Sequence, residues 1–304
     1  MIVRIAIIIV LCGTLFVTAG EAAEYALARS ATPVLNNPDF AAVFGGTNGQ
    51  ELKTDRCGQV RELEYIAMPG TAFTIIKKLI FGLATIFQVE TDEYKASPNV
   101  RLYVDGRFVE LKQIPPEPRR PLLPPREKII ATLRSSRGNP YVWGGNIPGG
   151  VPELVDWFYR GIKKEDTGRL SLAGLDCSGL LYHATEGWTP RNTSQLITFG
   201  QGVAIAGKKA VEIASLLQPL DLIVWNGHVI IVLDPETAIE SRLECGKAGN
   251  GGVVTTPVPL RIAEIMRTRH PENIWNSQKK QQDIFVVRRW YDAAKTTPSE
   301  KNSL

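Results

Sequence analysis

A chain of 304 residues, 44% hydrophobic and 22% charged, is long enough for two domains and ordinary in composition for a soluble globular protein. Its formal net charge of +4 suits contact with an anionic polymer or surface. No compact Lys/Arg cluster with interleaved aromatics supports nucleic-acid binding.

The chain opens with MIVR, a short basic start, then IAIIIVLCGTLFV, an apolar run, then small residues suited to cleavage after Ala19 or Ala22. That order predicts a secretory signal over residues 1–22 rather than a stable membrane span, because the apolar run is short and a mixed polar sequence follows. Cys12 lies inside the apolar run, behind the bulky Ile9, Val10 and Leu11, and leaves with the signal. The implied location is the periplasm or cell envelope. Three cysteines then remain, and in an oxidising compartment an odd count leaves one thiol over. Cys57 and Cys245 both sit beside glycine in polar, loop-like stretches; pairing with each other and remaining separate are both open.

Residues 24–113 carry short runs that alternate or cluster β-branched and aromatic residues, such as RELEYIAM, TAFTII and RLYVDGRFVEL. Turn residues in NNPDF, MPGT and VDGR separate them, predicting a small all-β barrel. FTIIKKLIFGLATIFQV reads as core strands rather than a span, since Lys77, Lys78 and Gly82 interrupt it. Residues 114–125, IPPEPRRPLLPP, hold six prolines and predict an extended, semi-rigid linker at a domain boundary.

Residues 126–292 read as an α+β domain with helices first and an antiparallel run of strands after. PREKIIATLRSSRG predicts a helix opening at Pro125 and closing at Gly138, and PELVDWFYRGIKK a second amphipathic one. CSGLLYHATE predicts a helix opening at Cys177; DLIVW, HVIIVL, TAIESRL and IFVVRRWY predict strands. The tail, residues 293–304, is polar.

The chemistry centres on LDCSGL. A thiolate is favoured at a helix start, where unpaired N–H groups and the helix dipole stabilise the anion. Small Ser178 and Gly179 are expected to leave room for a substrate to approach the sulfur. A buried filler cysteine is the alternative, so a base is required. Of three histidines, His183 lies about 9 Å along and about 120° round the same helix, out of reach. His270 stands in a charged stretch before proline. His228, after a glycine at the start of an apolar strand, is the remaining base. A three-residue loop centred on Pro235 sets Glu240 opposite Ile230, on the face of His228, where it can orient the ring. One residue more or less in that loop turns Glu240 away. The Cys177 backbone N–H and the Tyr141 hydroxyl are candidate oxyanion donors. CxxC and HExxH are absent and histidines are few, so no metal or cofactor is expected.

The ordered blocks GNPYVWGG, LDCSGL, TPRNTSQ, LQPLDLIVW, GHVIIVL and AIES, within residues 126–241, resemble the NlpC family of papain-like cell-wall cysteine peptidases. The preceding β unit resembles the bacterial SH3-like module often found before them. The resemblance implies Cys177 as nucleophile, His228 as base and Glu240 in the third polar position. It implies Tyr141 beside the active site, with Asp176 and Ser178 holding the free amino end of a peptidoglycan stem peptide, commonly N-terminal alanine. The family hydrolyses the γ-D-glutamyl–diaminopimelate bond through a thioester. A silent wall-binding adaptor and an acyl or peptidyl transferase using the same pair are the competing functions. A monomer is the simplest expectation. The sequence departs from the family in carrying Glu240 where His, Asn or Gln is usual. Leu220 stands for the usual glycine, which predicts only a local loop change. The segment PELVDWFYRGIKK lies in a lengthened gap and is expected to wall or lid the cleft.

Overall fold

The structure is a computed structural model that describes residues 25–247, 251–276 and 283–291. The signal reading for residues 1–22 and the tail at 293–304 lie outside the described residues.

The N-terminal runs form one antiparallel seven-stranded sheet. Its strands are β1 (Tyr25–Ala28), β2 (Thr32–Leu35), β3 (Leu63–Ala67), β4 (Ala72–Phe81), β5 (Ala84–Glu90), β6 (Leu102–Asp105) and β7 (Val109–Lys112). They run in the order β3-β2-β6-β5-β4-β1-β7, with Val34, Leu63, Ile66, Phe73, Ile86 and Val104 buried between them. FTIIKKLIFGLATIFQV becomes the β4–β5 hairpin, with Phe81 opposite Ala84. Gly82 opens its two-residue turn at φ +58°, a conformation that favours glycine. Among the described residues no helix is long and apolar enough to cross a membrane.

The second half is mixed. Helices α1 (Arg126–Ser135), α2 (Pro152–Phe158), α3 (Cys177–Ala184) and α4 (Ala210–Leu216) precede strands β8 (Leu222–Trp225), β9 (His228–Val232), β10 (Thr237–Leu243) and β11 (Gly251–Pro257). Helix α5 (Val258–Ile265) and strand β12 (Ile284–Arg289) follow. The antiparallel order is β12-β8-β9-β10-β11. Leu180 and Leu181 of α3 pack on one face with Ile231 and Ile239. Ile213 of α4 and Ile262 of α5 pack on the other with Ile223 and Ile230. Covered on both faces, β8 and β9 carry near-continuous apolar runs and not an alternation. The fold class expected from sequence, helices packed on antiparallel sheet, is what the structure has. Leu220 adopts φ +72° without disturbing the strand that follows, and its N–H donates to Val232 O at 2.7 Å.

Two features differ from the sequence reading. Helix α2 forms no lid: Leu154, with Val151, Tyr159, Leu170 and Leu172, joins the hydrophobic core of the N-terminal sheet. Its apolar side chains find a larger dry surface there than a cleft rim offers. The proline-rich stretch is also pinned rather than free. Arg119 donates to Glu93 of the N-terminal unit at 2.7 Å and to the Tyr182 hydroxyl of α3 at 2.9 Å. Packing thus crosses the proline-rich stretch at residues 114–125.

Cys57 and Cys245 form a disulfide between residues 188 apart in sequence, leaving Cys177 as a free thiol. Closing so long a loop restricts the unfolded chain, so the Cys57→Ser/Cys245→Ser variant is expected to lose about 2–4 kcal/mol. Urea unfolding of the variant beside the oxidised protein measures this, and coincident midpoints contradict it.

Candidate active site

LDCSGL enters α3 from a short bridge in which Leu175 pairs Asn146. Asp176 is the N-cap, and its Oδ1 accepts the Gly179 N–H at 2.6 Å. That cap starts the helix at Cys177, which is 7% exposed. Ser241 of β10 donates its hydroxyl to Leu175 O at 2.6 Å, tying the entrance of the helix to the sheet. Gly179 is small for a reason other than substrate access. A Cβ there would lie 2.0 Å from the Gly145 carbonyl oxygen, so only glycine lets the helix approach the Gly144–Gly145 turn.

The β9–β10 hairpin positions His228 and Glu240. Ile231 pairs Ile239 and Val232 pairs Ala238 across the loop 234–236, the register that sets Glu240 opposite Ile230. Glu240 therefore shares a face with His228, and its Oε2 accepts from His228 Nε2 at 2.7 Å. Cys177 is the other group that favours the charged imidazole, and its Sγ lies 3.9 Å from the carbonyl oxygen of Gly227, the residue before His228. Trp225 covers the ring from 4.9 Å, leaving 15% of the His228 side chain exposed.

Arg261 on α5 was not read from the sequence, because the helix VPLRIAEI was itself not recognised. Its Nε donates to Glu240 Oε1 at 2.7 Å and a terminal nitrogen to Oε2 at 2.9 Å, a bidentate clasp on a carboxylate only 1% exposed. Burial alone pushes Glu240 upward, but His228 and Arg261 outweigh it and bring the carboxyl down to about 2. Burial pulls His228 down, but Cys177 and Glu240 outweigh it and raise the imidazole to about 9. The residues thus form a line of alternating charge from His228, through the buried Glu240, to Arg261. A lone Arg in an apolar helix was the available sequence signal.

Asp176 and Ser178 are held from behind by Arg191, whose side chain is 1% exposed. Its terminal nitrogens donate to Asp176 Oδ1 at 3.0 Å and Oδ2 at 2.7 Å, and to Ser178 Oγ at 2.9 Å. Its Nε donates to Asn146 Oδ1 at 3.2 Å. Tyr141 is buried near Asp176 and Cys177; burial first, and then those two groups, raise its phenol. The N-terminal unit also reaches this neighbourhood. Gln59 Oε1 accepts the Trp143 N–H at 2.9 Å, and the Arg61 guanidinium stacks 4.4 Å from the Trp143 ring. A separate cavity of about 1070 Å³ is lined by Thr74, Gln88, Tyr94, Pro116 and Gln195 and by neither Cys177 nor His228. The six sequence-chosen residues therefore converge on one centre. Among the described residues no group of acidic, His or Cys side chains could hold a metal ion.

No protein-family model matches the chain. No curated protein matches it either. Solved structures similar to it include an NlpC/P60 family protein from Bacillus cereus, 15% identical, with a TM-score of 0.32. That match covers 88% of this chain and 64% of the other, so the chain spans less than two thirds of that protein's length. RipD from Mycobacterium tuberculosis, described as a non-catalytic NlpC/p60 domain protein adapted to peptidoglycan binding, is 24% identical. It covers 44% of this chain and 87% of its own, with a TM-score of 0.29. NlpC2 from Trichomonas vaginalis is 12% identical over 88% of this chain and 72% of its own, with a TM-score of 0.29.

The electrostatics give a direct test. The folded value of His228, about 9, lies above its ordinary 6.5, so its stabilising contribution is complete below 6.5 and is lost as pH rises through 9. Glu240, about 2 against an ordinary 4.5, contributes above 4.5 and loses that contribution as pH falls through 2. Glu240→Gln removes a partner charge and is expected to lower the His228 titration by about 1–2 units, read by NMR of the imidazole. An unmoved titration contradicts the assignment. Arg191→Met leaves Asp176 as an unpaired buried charge and is expected to cost about 3–5 kcal/mol. Thermal or urea unfolding measures the loss.

Proposed function

We propose that this chain is a cysteine endopeptidase that hydrolyses peptidoglycan stem peptides at the γ-D-glutamyl–diaminopimelate bond. The observation that carries the proposal is Cys177 at the first position of α3, its Sγ 3.9 Å from the carbonyl of Gly227, with the next residue, His228, hydrogen-bonded to Glu240. The NlpC-like order of sequence blocks supports the substrate class. In this reading the Cys177 thiolate attacks the γ-carbonyl carbon and forms a tetrahedral oxyanion, which the Cys177 N–H and the Tyr141 hydroxyl receive. The C–N bond breaks as His228, held charged by Glu240, gives its proton to the departing amine. Water then attacks the thioester, His228 takes its proton, and release of the acid restores the thiolate.

Asp176 and Ser178 are assigned the free amino end of the substrate. Asp176 Oδ1 already accepts from Gly179, Ser178 and Arg191. Oδ2 receives Arg191 alone among the described contacts, which leaves a lone pair for an ammonium donor. The N-terminal β unit is assigned an SH3-like role in narrowing the cleft, through the Gln59–Arg61 segment that abuts Trp143. Residues 1–22 are assigned export, which sets the enzyme in the periplasm or envelope.

Mass spectrometry of muropeptides digested by the protein is the test. The expected products are an alanyl-γ-glutamate dipeptide and a fragment with a new diaminopimelate amino end, both absent with Cys177→Ala. Unchanged turnover in that variant sinks the proposal. Sedimentation with sacculi and no products from the native protein would instead identify a wall-binding protein. Added amine captured in place of water would identify a transferase.

A further inference from the structure

We infer that the tip of the β4–β5 hairpin is a docking element for an anionic lipid surface, a property independent of the peptidase reading. The main observation is how far the hairpin outruns its sheet. Strand β1 pairs β4 only up to Thr74, and β6 pairs β5 only from Ile86 onward. Residues 77–81 pair only with 84–88 of β5, and the last two pairs, Ile80 with Thr85 and Phe81 with Ala84, have no strand on either side. Such a two-stranded ribbon has no core of its own to bury side chains in.

Its end is nevertheless apolar. Ile80 is 63% exposed, Phe81 38% and Leu83 fully exposed, with Ile76 at 49% further back. Folding buries none of Leu83 and little of Ile80, so the core does not account for apolar residues at these positions. Behind the tip stand Lys77 and Lys78, both exposed. Side chains alternate along a strand, so Lys77 shares a face with Phe81 and Lys78 shares the other with Ile80. Each lysine therefore flanks one face of the apolar tip, about 14 Å (Lys78) and about 17 Å (Lys77) behind Gly82 at about 3.4 Å per residue. No acidic residue occurs from Thr74 to Val89.

An interfacial element sinks its apolar part about 5–10 Å into the acyl boundary, and the long lysine stems let the ammonium groups reach forward to the phosphates. A protein partner is the poorer fit. Four side chains on a convex tip fall far short of the roughly 20–30 residues per side in a stable protein interface. A bilayer needs no complementary groove.

The test uses the chain from Ala23 onward, which contains every described residue and omits an apolar leader that would itself bind lipid. Co-sedimentation is measured with vesicles of phosphatidylglycerol mixed with phosphatidylcholine, and with phosphatidylcholine alone. Preference for the anionic vesicles, weakening as salt is raised, is the expected result. Ile80→Asp/Leu83→Asp is expected to lower partitioning at least about tenfold, and Lys77→Glu/Lys78→Glu to abolish the anionic preference. Both variants should keep the native thermal midpoint and muropeptide products, because Lys77, Lys78, Ile80 and Leu83 are all exposed. Absence of binding to anionic vesicles overturns the inference, as does binding that both variants retain. A dimer in sedimentation analysis that Leu83→Asp dissolves, without vesicle binding, also overturns it and reassigns the tip to self-association.

Discussion

The centre is organised around one buried guanidinium. Arg191 holds both oxygens of Asp176, the hydroxyl of Ser178 and the side-chain oxygen of Asn146. Asn146 in turn accepts the Ile66 N–H at 3.1 Å and donates to Ile66 O at 2.9 Å, standing in for a neighbouring strand beside β3. A single cation thus connects the cap of the Cys177 helix to the N-terminal sheet. Its burial is tolerable only because its nitrogens are met by acceptors, one of them a carboxylate. Loss of any contact would loosen the start of α3, where the sulfur is carried.

The same logic recurs on the other side of the site. Glu240 is almost fully buried, and Arg261 offsets the cost of keeping it ionised. An ionised Glu240 fixes the His228 ring by accepting from Nε2 and leaves the remaining nitrogen to Cys177. A neutral Asn or Gln in that place would orient the ring without adding charge. The carboxylate adds charge, so the imidazole stays protonated into mildly alkaline solution. Arg261 belongs to the site through Glu240 and makes that substitution possible in a dry environment.

Much of this was legible along the chain. The helix opening at Cys177 announced itself through the apolar run that follows, and the strands through their β-branched runs. The Glu240 register followed from loop length, since side-chain direction in a strand has a period of two. The helix α2 segment shows the limit: its apolar pattern established that it must be covered, but not by what. Arg261 was invisible for a related reason. Nothing local distinguishes a surface arginine on an amphipathic helix from one that reaches across to a carboxylate on another strand.

What the sequence by itself determined is local: where elements start and stop, which face of each is apolar, and which residue types stand at the nucleophile and base. Backbone conformation and side-chain periodicity depend on near neighbours, and these are written in order. The tertiary structure alone decided the partners of buried charges, the Cys57–Cys245 bond and the core that α2 joins. It also decided that Gly179 serves helix packing against Gly145 and that the β4–β5 hairpin outruns its sheet. Such choices depend on groups distant in sequence competing for the same buried space and the same hydrogen-bond partners, and only the folded chain brings those groups together.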